Sequence, residues 1–310
     1  MKIVFMGTPD FAVGALEALV GAGHEIVAVV TQPDKAKGRS DKLTFSPVKE
    51  CAVKYHIPVL QPERIKRPEA VEELKNYPAD VFVVAAFGQI LSKEILDMPK
   101  YGCLNIHASL LPKYRGSSPI QWAVINGEEK TGVTTMLTDI GLDTGDILLE
   151  RETEIGKDET AGELFDRLAE MGAELLKETI EKLERNELEP KKQNDAEATK
   201  CSMIKKEHGH IDFSKSEKAI HDLVRGMNPW PCAYAMLEGE AVKIWRTRRI
   251  PTKKTGSKAG SILCADKQNG LIVKCGDGDI EILELQFPGS KRMSAQAAML
   301  GHELVGKVFD

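Results

Sequence analysis

Three polar side chains in the middle of the sequence have types and spacing suited to acid–base chemistry on a carbonyl group. Asn105 and His107 are two residues apart at the end of an apolar run, and Asp143 follows within a Gly-Leu-Asp-Thr-Gly segment. If the run is a β-strand, Asn105 and His107 point to the same side of a sheet. The amide can donate a hydrogen bond to a developing oxyanion, and the imidazole can move a proton near neutral pH. Asp143 would then orient or charge the imidazole.

Taken separately, these patterns do not establish catalysis. An Asn-x-His pair is common, and most histidines are surface or structural residues. A Gly-x-Asp-x-Gly segment, here at residues 141–145, is usually only a turn. The hypothesis of a catalytic set therefore depends on the elements that would bring the three residues together.

Apolar runs in the first half of the sequence alternate with helical patterns and predict those elements. Continuous apolar runs separated by helices are typical of a parallel sheet that is covered on both faces. We therefore expect a doubly wound, Rossmann-like α/β domain, in which ligands bind beyond the carboxyl ends of the strands. The runs that carry this prediction lie at residues 2–6, 26–30, 81–87 and 103–106.

The pattern changes in the second half of the chain. Thr160 and Glu163 form a capping-box pattern at the start of a long amphipathic helix. A polar stretch without periodicity follows and predicts a linker, after which short apolar runs between Gly-containing turns predict a small antiparallel barrel of the OB-like kind. We therefore expect a catalytic domain at 1–187, a basic linker at 188–206 and a C-terminal OB-like barrel domain at 207–310.

Length, cysteines and hydropathy exclude several classes of protein. The 310 residues fit two domains, and six scattered cysteines without a CxxC pair predict free thiols rather than a zinc site or a disulfide framework. The short apolar stretch after Met1 does not fit a secretory signal, and no run approaches the roughly 20 apolar residues of a membrane span. We expect a cytoplasmic protein with no membrane association and no metal.

Charge is unevenly distributed along the chain. The net charge is −5, yet the residues from Cys201 onward carry 17 Lys and Arg against 13 Asp and Glu. A basic C-terminal third permits a polyanionic partner there without requiring one.

The first strand-to-helix turn does not fit a dinucleotide site. In the segment from Gly7 to Ala12, the second glycine of a GxGxxG motif is replaced by Pro9. Proline has no amide hydrogen, and its ring occupies the space into which a pyrophosphate would come. We therefore expect no NAD binding and interpret this segment as a tight turn with a proline near the helix start.

Taken together, the motifs resemble those of the folate-dependent formyltransferases, and the resemblance covers essentially the whole chain. One small departure is the Cys232-Ala233 pair, where the family more often has a glycine. The strings that carry the resemblance are Gly-Thr-Pro-Asp-Phe-Ala at 7–12, Asn-Ile-His-Ala-Ser-Leu-Leu-Pro at 105–112, Arg-Gly at 115–116, Pro-Ile at 119–120, Gly-Leu-Asp-Thr-Gly at 141–145 and Asn-Pro-Trp-Pro at 228–231.

The resemblance implies transfer of a formyl group from 10-formyltetrahydrofolate to the amino group of methionyl-initiator-tRNA. Attack of the amine on the formyl carbon gives a tetrahedral intermediate, whose oxyanion Asn105 and protonated His107 would stabilise. Asp143, hydrogen-bonded to His107 or to a bound water, would take part in the proton transfers. Such a reaction requires neither a metal nor NAD.

The same resemblance implies where folate binds. The donor would lie against the loops after the fourth and fifth strands, and backbone groups of two further segments would frame the pterin. The family's tetrahydrofolate-binding segment matches Ser109, Leu110, Leu111 and Pro112, and the framing residues are Phe87, Gly88, Gln89, Ile90, Leu137 and Asp139.

A long basic loop is predicted at residues 34–49. Its charge alone fits a solvated surface loop as well as a phosphate-binding one. In the family, an inserted loop with an arginine that matches Arg39 engages the acceptor stem of the tRNA, so the resemblance implies contacts with phosphates. The residues assigned to tRNA binding are Arg39, Lys35, Lys37, Lys42, Lys205 and Lys206.

Three other functions are compatible with parts of this sequence. A formyltransferase for a small amine would share Asn105, His107 and Asp143 but should lack the basic insert around Arg39. A folate-dependent hydrolase would use water as the acceptor on the same residues. A non-catalytic tRNA-binding protein would have no need of the three residues. No obligate protein partner is expected.

Overall fold

A mixed β-sheet forms the N-terminal half of the chain in the computed structural model, which describes residues 1–36, 43–250 and 256–310. The strands in this part are β1 (Lys2–Gly7), β2 (Glu25–Val30), β3 (Lys35–Ala36), β4 (Leu43–Thr44), β5 (Val59–Leu60), β6 (Val81–Ala85), β7 (Cys103–His107), β8 (Arg115–Gly116), β9 (Lys130–Leu137) and β10 (Ile147–Glu154). The helices are α1 (Val13–Gly21), α2 (Pro47–Lys54), α3 (Pro68–Lys75), α4 (Lys93–Leu96), α5 (Pro119–Ile125) and α6 (Ala161–Glu184).

The main sheet combines a parallel core with an antiparallel extension. Its strand order within the described residues is β10-β9-β7-β6-β1-β2-β5. The strands from β7 to β5 in this order pair in parallel, whereas β9 runs antiparallel to β7. The apolar runs predicted the parallel core. They did not predict β9, because its sequence KTGVTTML lacks a continuous apolar run.

Helices cover both faces of this sheet. On one face, Met6 of β1 belongs to the same buried cluster as Leu74 of α3 and Ile95 of α4. On the other face, α6 approaches β7 closely at Gly172, where a Cβ atom would lie 3.1 Å from Cγ2 of Ile106. This arrangement confirms the predicted doubly wound, Rossmann-like sheet.

The chain divides into two compact units. The first comprises Met1–Gly116, Thr131–Thr153 and Phe165–Lys200, and the second comprises Ser117–Lys130, Glu154–Leu164 and Cys201–Asp310. The predicted capping box before α6 is present. The Thr160 amide donates to Oε2 of Glu163 at 2.8 Å, and the Glu163 amide donates to Oγ1 of Thr160 at 3.2 Å.

An antiparallel sheet forms the core of the second unit. The remaining elements of the chain are β11 (Lys200–Cys201), α7 (Glu217–Gly226), β12 (Ala233–Leu237), β13 (Glu240–Ile250), β14 (Ile262–Asp266), β15 (Gly270–Lys274), β16 (Asp279–Gln286), β17 (Met293–Ser294) and α8 (Ala295–Gly301). The strand order of the sheet is β12-β13-β16-β15-β14. Near the C-terminus, Phe309 bridges to Leu237 and Val308 bridges to Ser261. These bridges link the two edges of the sheet, in agreement with the predicted small barrel.

The cysteines are free thiols, and five of the six are buried. Burial raises the pKa of the Cys103 thiol to about 12, so this side chain stays neutral and packs as an apolar group. In the described part of the chain, no helix has the length and apolar character needed to cross a lipid bilayer.

Candidate active site

Strand β7 places Asn105 and His107 on one face of the sheet. Asn105 lies opposite Met136 of β9, and His107 lies opposite Thr134. Because residues two apart in a strand share a face, both side chains point to the side on which Cys103 packs. The geometry of β7 therefore brings the amide and the imidazole next to each other.

The main chain holds the ring of His107. Its Nε2 atom lies 2.9 Å from the carbonyl oxygen of Tyr114. A carbonyl oxygen only accepts hydrogen bonds, so Nε2 carries a hydrogen and donates it. The lone pair of the neutral imidazole is then on Nδ1, and Nδ1 is the atom that gains or loses a proton.

The Nδ1 atom of His107 faces Asp143. It lies 3.7 Å from Oδ2 of Asp143, and the two side chains are 7% and 12% exposed. The same Oδ2 accepts a hydrogen bond from the Gly116 amide at 2.8 Å. The distance between Nδ1 and Oδ2 exceeds that of a hydrogen bond. Because both side chains are largely shielded from solvent, however, the carboxylate attracts a protonated imidazole more strongly than it would in water.

The segment that carries Asp143 is tightly folded. Asp143 has a φ of 54°, in the left-handed region. A Cβ atom at Gly145 would lie 1.6 Å from the carbonyl oxygen of Leu137, so only glycine fits there. Asp139 stabilises the turn because its Oδ1 accepts from the Gly141 amide at 2.9 Å and from the Thr144 hydroxyl at 2.6 Å. Gly145, which ends the motif, is therefore required by the fold of this segment.

Asn105 is half-buried beside His107. Within residues 1–36, 43–250 and 256–310, its side-chain amide makes no hydrogen bond. An amide in this position keeps both N–H groups available to an acceptor that enters the site.

The predicted folate segment at 109–112 directly follows β7. The hydroxyl of Ser109 is committed internally, since it donates to the carbonyl oxygen of Lys113 at 2.7 Å. Thr134 fixes the segment from β9, because its hydroxyl donates to the Ser109 carbonyl at 2.7 Å and accepts from the Leu111 amide at 3.2 Å. Leu111 is buried, and Leu110 and Pro112 are half-buried. Sequence reasoning missed Thr134, whose only signal is its place in a Thr-Thr pair.

The predicted framing residues at 87–90 follow β6, which is the parallel neighbour of β7. Phe87 is buried, and its carbonyl oxygen accepts from Nε2 of Gln32 at 3.1 Å. The side chain of Gln89 is occupied by the Ile65 amide and the Pro62 carbonyl. Ile90 is 71% exposed and is free to contact a ligand.

Leu137 and Asp139 lie nearer to the amino end of β7, because Leu104 is the register partner of Leu137. Between them lies Thr138, whose buried Oγ1 is one of two buried side-chain oxygens without a partner in the described residues.

Gln193 was also missed, because it lies in the stretch predicted as a linker. Its Nε2 donates to the carbonyl oxygens of Asp143 at 2.9 Å and Gly145 at 2.7 Å. Its Oε1 accepts from Nε of Arg115 at 2.9 Å. The segment around Gln193 thus reaches the backbone of the Asp143 loop.

The residues predicted to bind tRNA are in several places. Lys35 belongs to the short strand β3, and Lys205 and Lys206 are exposed in the second unit. The other residues of this group, Arg39, Lys37 and Lys42, lie outside the described residues.

An ion pair occupies the ends of the predicted basic loop. Nζ of Lys49 donates to Oδ2 of Asp34 at 2.5 Å and to Oε1 of Gln61 at 2.6 Å. The hydrogen bond from Lys49, with a second one from Gln61, lowers the pKa of Asp34. The charge of Lys49 is therefore used within the protein.

No group of three or more His, Cys, Asp and Glu side chains suited to a metal ion occurs in residues 1–36, 43–250 and 256–310.

The first strand-to-helix turn is tight, since a Cβ atom at Gly7 would lie 2.8 Å from Cβ of Ala12 and 2.9 Å from the Ala85 carbonyl oxygen. This packing explains the glycine at position 7 without a bound phosphate.

Comparison with known proteins places the chain in a family. The family model described as "Formyl transferase" matches residues 1–180, and the one described as "Formyl transferase, C-terminal domain" matches residues 203–303. A methionyl-tRNA formyltransferase of Lachnospira eligens is 50% identical over 315 residues, which span 100% of this chain and 99% of the relative. A methionyl-tRNA formyltransferase of Clostridium perfringens is 51% identical over 311 residues, which span 100% of both chains.

A solved structure shares the fold. An N-formyltransferase from Helicobacter canadensis, in complex with folinic acid and dTDP-3-aminofucose, has a TM-score of 0.67 and 24% identity, over 91% of this chain and 98% of that one. At this identity the similarity concerns the fold alone. The family models and the full-length relatives carry the assignment: the chain belongs to the formyl transferase family.

Proposed function

We propose that this chain transfers the formyl group of 10-formyltetrahydrofolate to the free amino group of methionyl-initiator-tRNA, which gives N-formylmethionyl-tRNA for translation initiation. One observation carries the proposal. His107 and Asp143 face each other beside the unengaged amide of Asn105, in a chain whose full-length relatives are named methionyl-tRNA formyltransferase.

Asn105 acts on the oxyanion. As the amine adds to the formyl carbon, negative charge develops on the formyl oxygen. The side chain of Asn105 can donate to that oxygen without first breaking a hydrogen bond to another described residue. A donor that is already in place costs no reorganisation during the reaction.

His107 and Asp143 carry out the transfer of the proton that the attacking amine loses. The Tyr114 carbonyl holds Nε2–H of His107, so the proton from the attacking amine is handled at Nδ1. Asp143 stabilises the charge that then forms on the ring, and the Gly116 amide keeps the Asp143 carboxylate in place. The proton subsequently passes to the folate nitrogen, which leaves as an amine. The nucleophile is the substrate's own amino group, so no covalent enzyme intermediate is needed.

The folate donor binds along residues 109–112, with the segments at 87–90 and 137–139 on either side. One feature of the structure supports this placement. Ile90, with 71% of its surface exposed, offers an apolar contact beside the segment. The side chains of Ser109 and Gln89 are used internally, so these residues contribute through backbone groups. The donor supplies the activated formyl carbon.

The tRNA acceptor stem binds the basic loop that contains Lys35, Lys37, Arg39 and Lys42. Lys205 and Lys206, which are exposed in the second unit, are the other residues assigned to contacts with the tRNA. Contacts between Lys or Arg and phosphates release counterions, so binding weakens steeply with salt. Arg39→Ala should raise the KM for tRNA and leave folate affinity unchanged; a loss of folate affinity instead would contradict this role.

The proposed roles are assigned to different ranges of the chain. In this proposal, residues 1–187 act as the catalytic domain and 207–310 as the C-terminal domain. The stretch 188–206 connects them, and its Gln193 also contacts the Asp143 segment. The protein works in the cytosol, where the reducing conditions suit its six free cysteines.

A transfer assay tests the proposed function. Purified protein and 10-formyltetrahydrofolate are incubated with methionyl-initiator-tRNA, methionyl-elongator-tRNA, free methionine or an amino-sugar nucleotide. Formylation of the initiator species alone is expected. Transfer to the sugar amine would indicate a small-amine transferase, and donor consumption without transfer would indicate a hydrolase.

A further inference from the structure

A glutamine and an arginine hold the backbone of the Asp143 segment. Each N–H of the Gln193 side chain has its own acceptor, the carbonyl oxygens of Asp143 at 2.9 Å and Gly145 at 2.7 Å. The amide oxygen of Gln193 accepts from Nε of Arg115 at 2.9 Å. Rotating the amide by half a turn would place its oxygen against two carbonyl oxygens, so the observed orientation is strongly favoured.

Arg115 is itself fixed. Its side chain is 6% exposed, and Nη2 donates to Oδ1 of Asp195 at 2.8 Å. A buried guanidinium without hydrogen-bond acceptors destabilises the protein. Nε–H of Arg115 therefore requires the side-chain oxygen of Gln193, which accepts, and not the side-chain nitrogen, which only donates.

The position of Arg115 in the chain connects it to both catalytic side chains. The residue before it, Tyr114, provides the carbonyl that holds Nε2 of His107. The residue after it, Gly116, provides the amide that holds Oδ2 of Asp143. The backbone of residues 114–116 therefore contacts the imidazole of His107 and the carboxylate of Asp143. The side chain of Arg115, in the same stretch, is linked to the Asp143 backbone through Gln193.

We propose that Gln193 is a positioning residue, oriented by Arg115, that sets the distance between Asp143 and Nδ1 of His107. The inference rests on the proposed function, since it assigns Gln193 to the proton transfer of formylation. The carboxylate of Asp143 is 3.7 Å from Nδ1, and a shift of its backbone would change that distance directly. This role differs from substrate binding, because the hydrogen bonds of Gln193 go to the backbone of the Asp143 segment and to Arg115.

Two substitutions separate the donors from the volume of the side chain. Gln193→Glu keeps the shape and the acceptor for Arg115 but loses both N–H donors. Gln193→Ala loses these bonds and also the contact of Nε2 with Sδ of Met136 at 4.0 Å. Each variant should lower kcat for methionyl-initiator-tRNA about tenfold or more, with both KM values within about twofold of wild type. The matched control is Gln296→Ala, at an exposed position of α8, which should leave kcat unchanged.

A double-mutant cycle with Asp143→Asn tests the route of the effect. If Gln193 acts through the Asp143 carboxylate, Gln193→Glu should slow single-turnover transfer far less in the Asp143→Asn background than in wild type. Folding is checked by thermal unfolding, and the near-isosteric Glu variant keeps the test valid if the Ala variant is unstable. Equal effects in both backgrounds, or a change confined to KM, would overturn the inference.

The same cycle distinguishes this inference from the proposed function. If wild type formylates methionyl-initiator-tRNA and Asp143→Asn is slow, additive effects at Gln193 refute the positioning role alone. If wild type transfers no formyl group to any tRNA, the proposed function fails, and the inference fails with it.

Discussion

Nδ1 of His107 and Oδ2 of Asp143 lie 3.7 Å apart in a site where both side chains are almost fully buried. The other ring nitrogen is already occupied by the Tyr114 carbonyl, and the carboxylate is already occupied by the Gly116 amide. Main-chain groups therefore hold both side chains that border the gap. A small movement of either residue brings the ring and the carboxylate into hydrogen-bond contact once the ring is protonated.

Removing the amide of Asn105 should slow the chemical step. Asn105→Ala should lower kcat about 100-fold to 1,000-fold, the loss typical of one oxyanion donor. Asn105→Asp should be no faster, although the side chain has nearly the same shape, because an ionised carboxylate accepts hydrogen bonds and repels the oxyanion. Steady-state kinetics at saturating donor and tRNA measure both variants. An Asp variant close to wild type would refute the oxyanion role.

The fold of the Asp143 segment should be sensitive to one methyl group. Gly145→Ala would place Cβ 1.6 Å from the Leu137 carbonyl oxygen, so the segment must move. We expect kcat to fall about 100-fold, because the carboxylate is displaced from His107. Gly21→Ala is the control, since a Cβ atom there meets no atom within 4 Å. Unchanged turnover in a folded Gly145→Ala protein would contradict the proposed role of the segment.

The stability of the second unit should depend on pH through His221. Burial is the main cause of the lowered pKa of His221, whose side chain is 7% exposed and contacts Oγ1 of Thr247 at 3.0 Å. The unfolded state therefore binds a proton more readily, and this contribution to stability is lost as pH falls below the unfolded pKa of about 6.5.

Unfolding by urea measures this dependence. From about pH 8 to about pH 5, the free energy of unfolding should fall more steeply for wild type than for His221→Gln. Parallel curves for wild type and His221→Gln would show that His221 does not contribute.

The sequence predicted the parts of the fold that depend on continuous patterns. The apolar runs of β1, β2, β6 and β7 indicated a buried parallel sheet, and the two-residue spacing placed Asn105 and His107 on one face. The capping box before α6 was predicted from two residues and is present. These features depend on neighbours that are close in the sequence.

The rest of the site depends on distant contacts. Gln193 lies 50 positions from Asp143 and 78 from Arg115, in a stretch without hydrophobic periodicity, so no local pattern indicates its role. Thr134 is similar, because its hydrogen bonds to the 109–112 segment require β9 to lie beside β7. That antiparallel pairing was not predicted, and neither was the contact that follows from it.

The most direct test of the account is the single-turnover rate of formyl transfer to methionyl-initiator-tRNA by His107→Ala, compared with wild type. With enzyme in excess and the donor saturating, the rate reports the chemical step rather than product release. We predict a fall of about 100-fold to 10,000-fold, the contribution of a positioned acid–base group, with the affinity for tRNA and the thermal unfolding unchanged. A folded His107→Ala protein that transfers the formyl group at close to the wild-type rate would contradict the account.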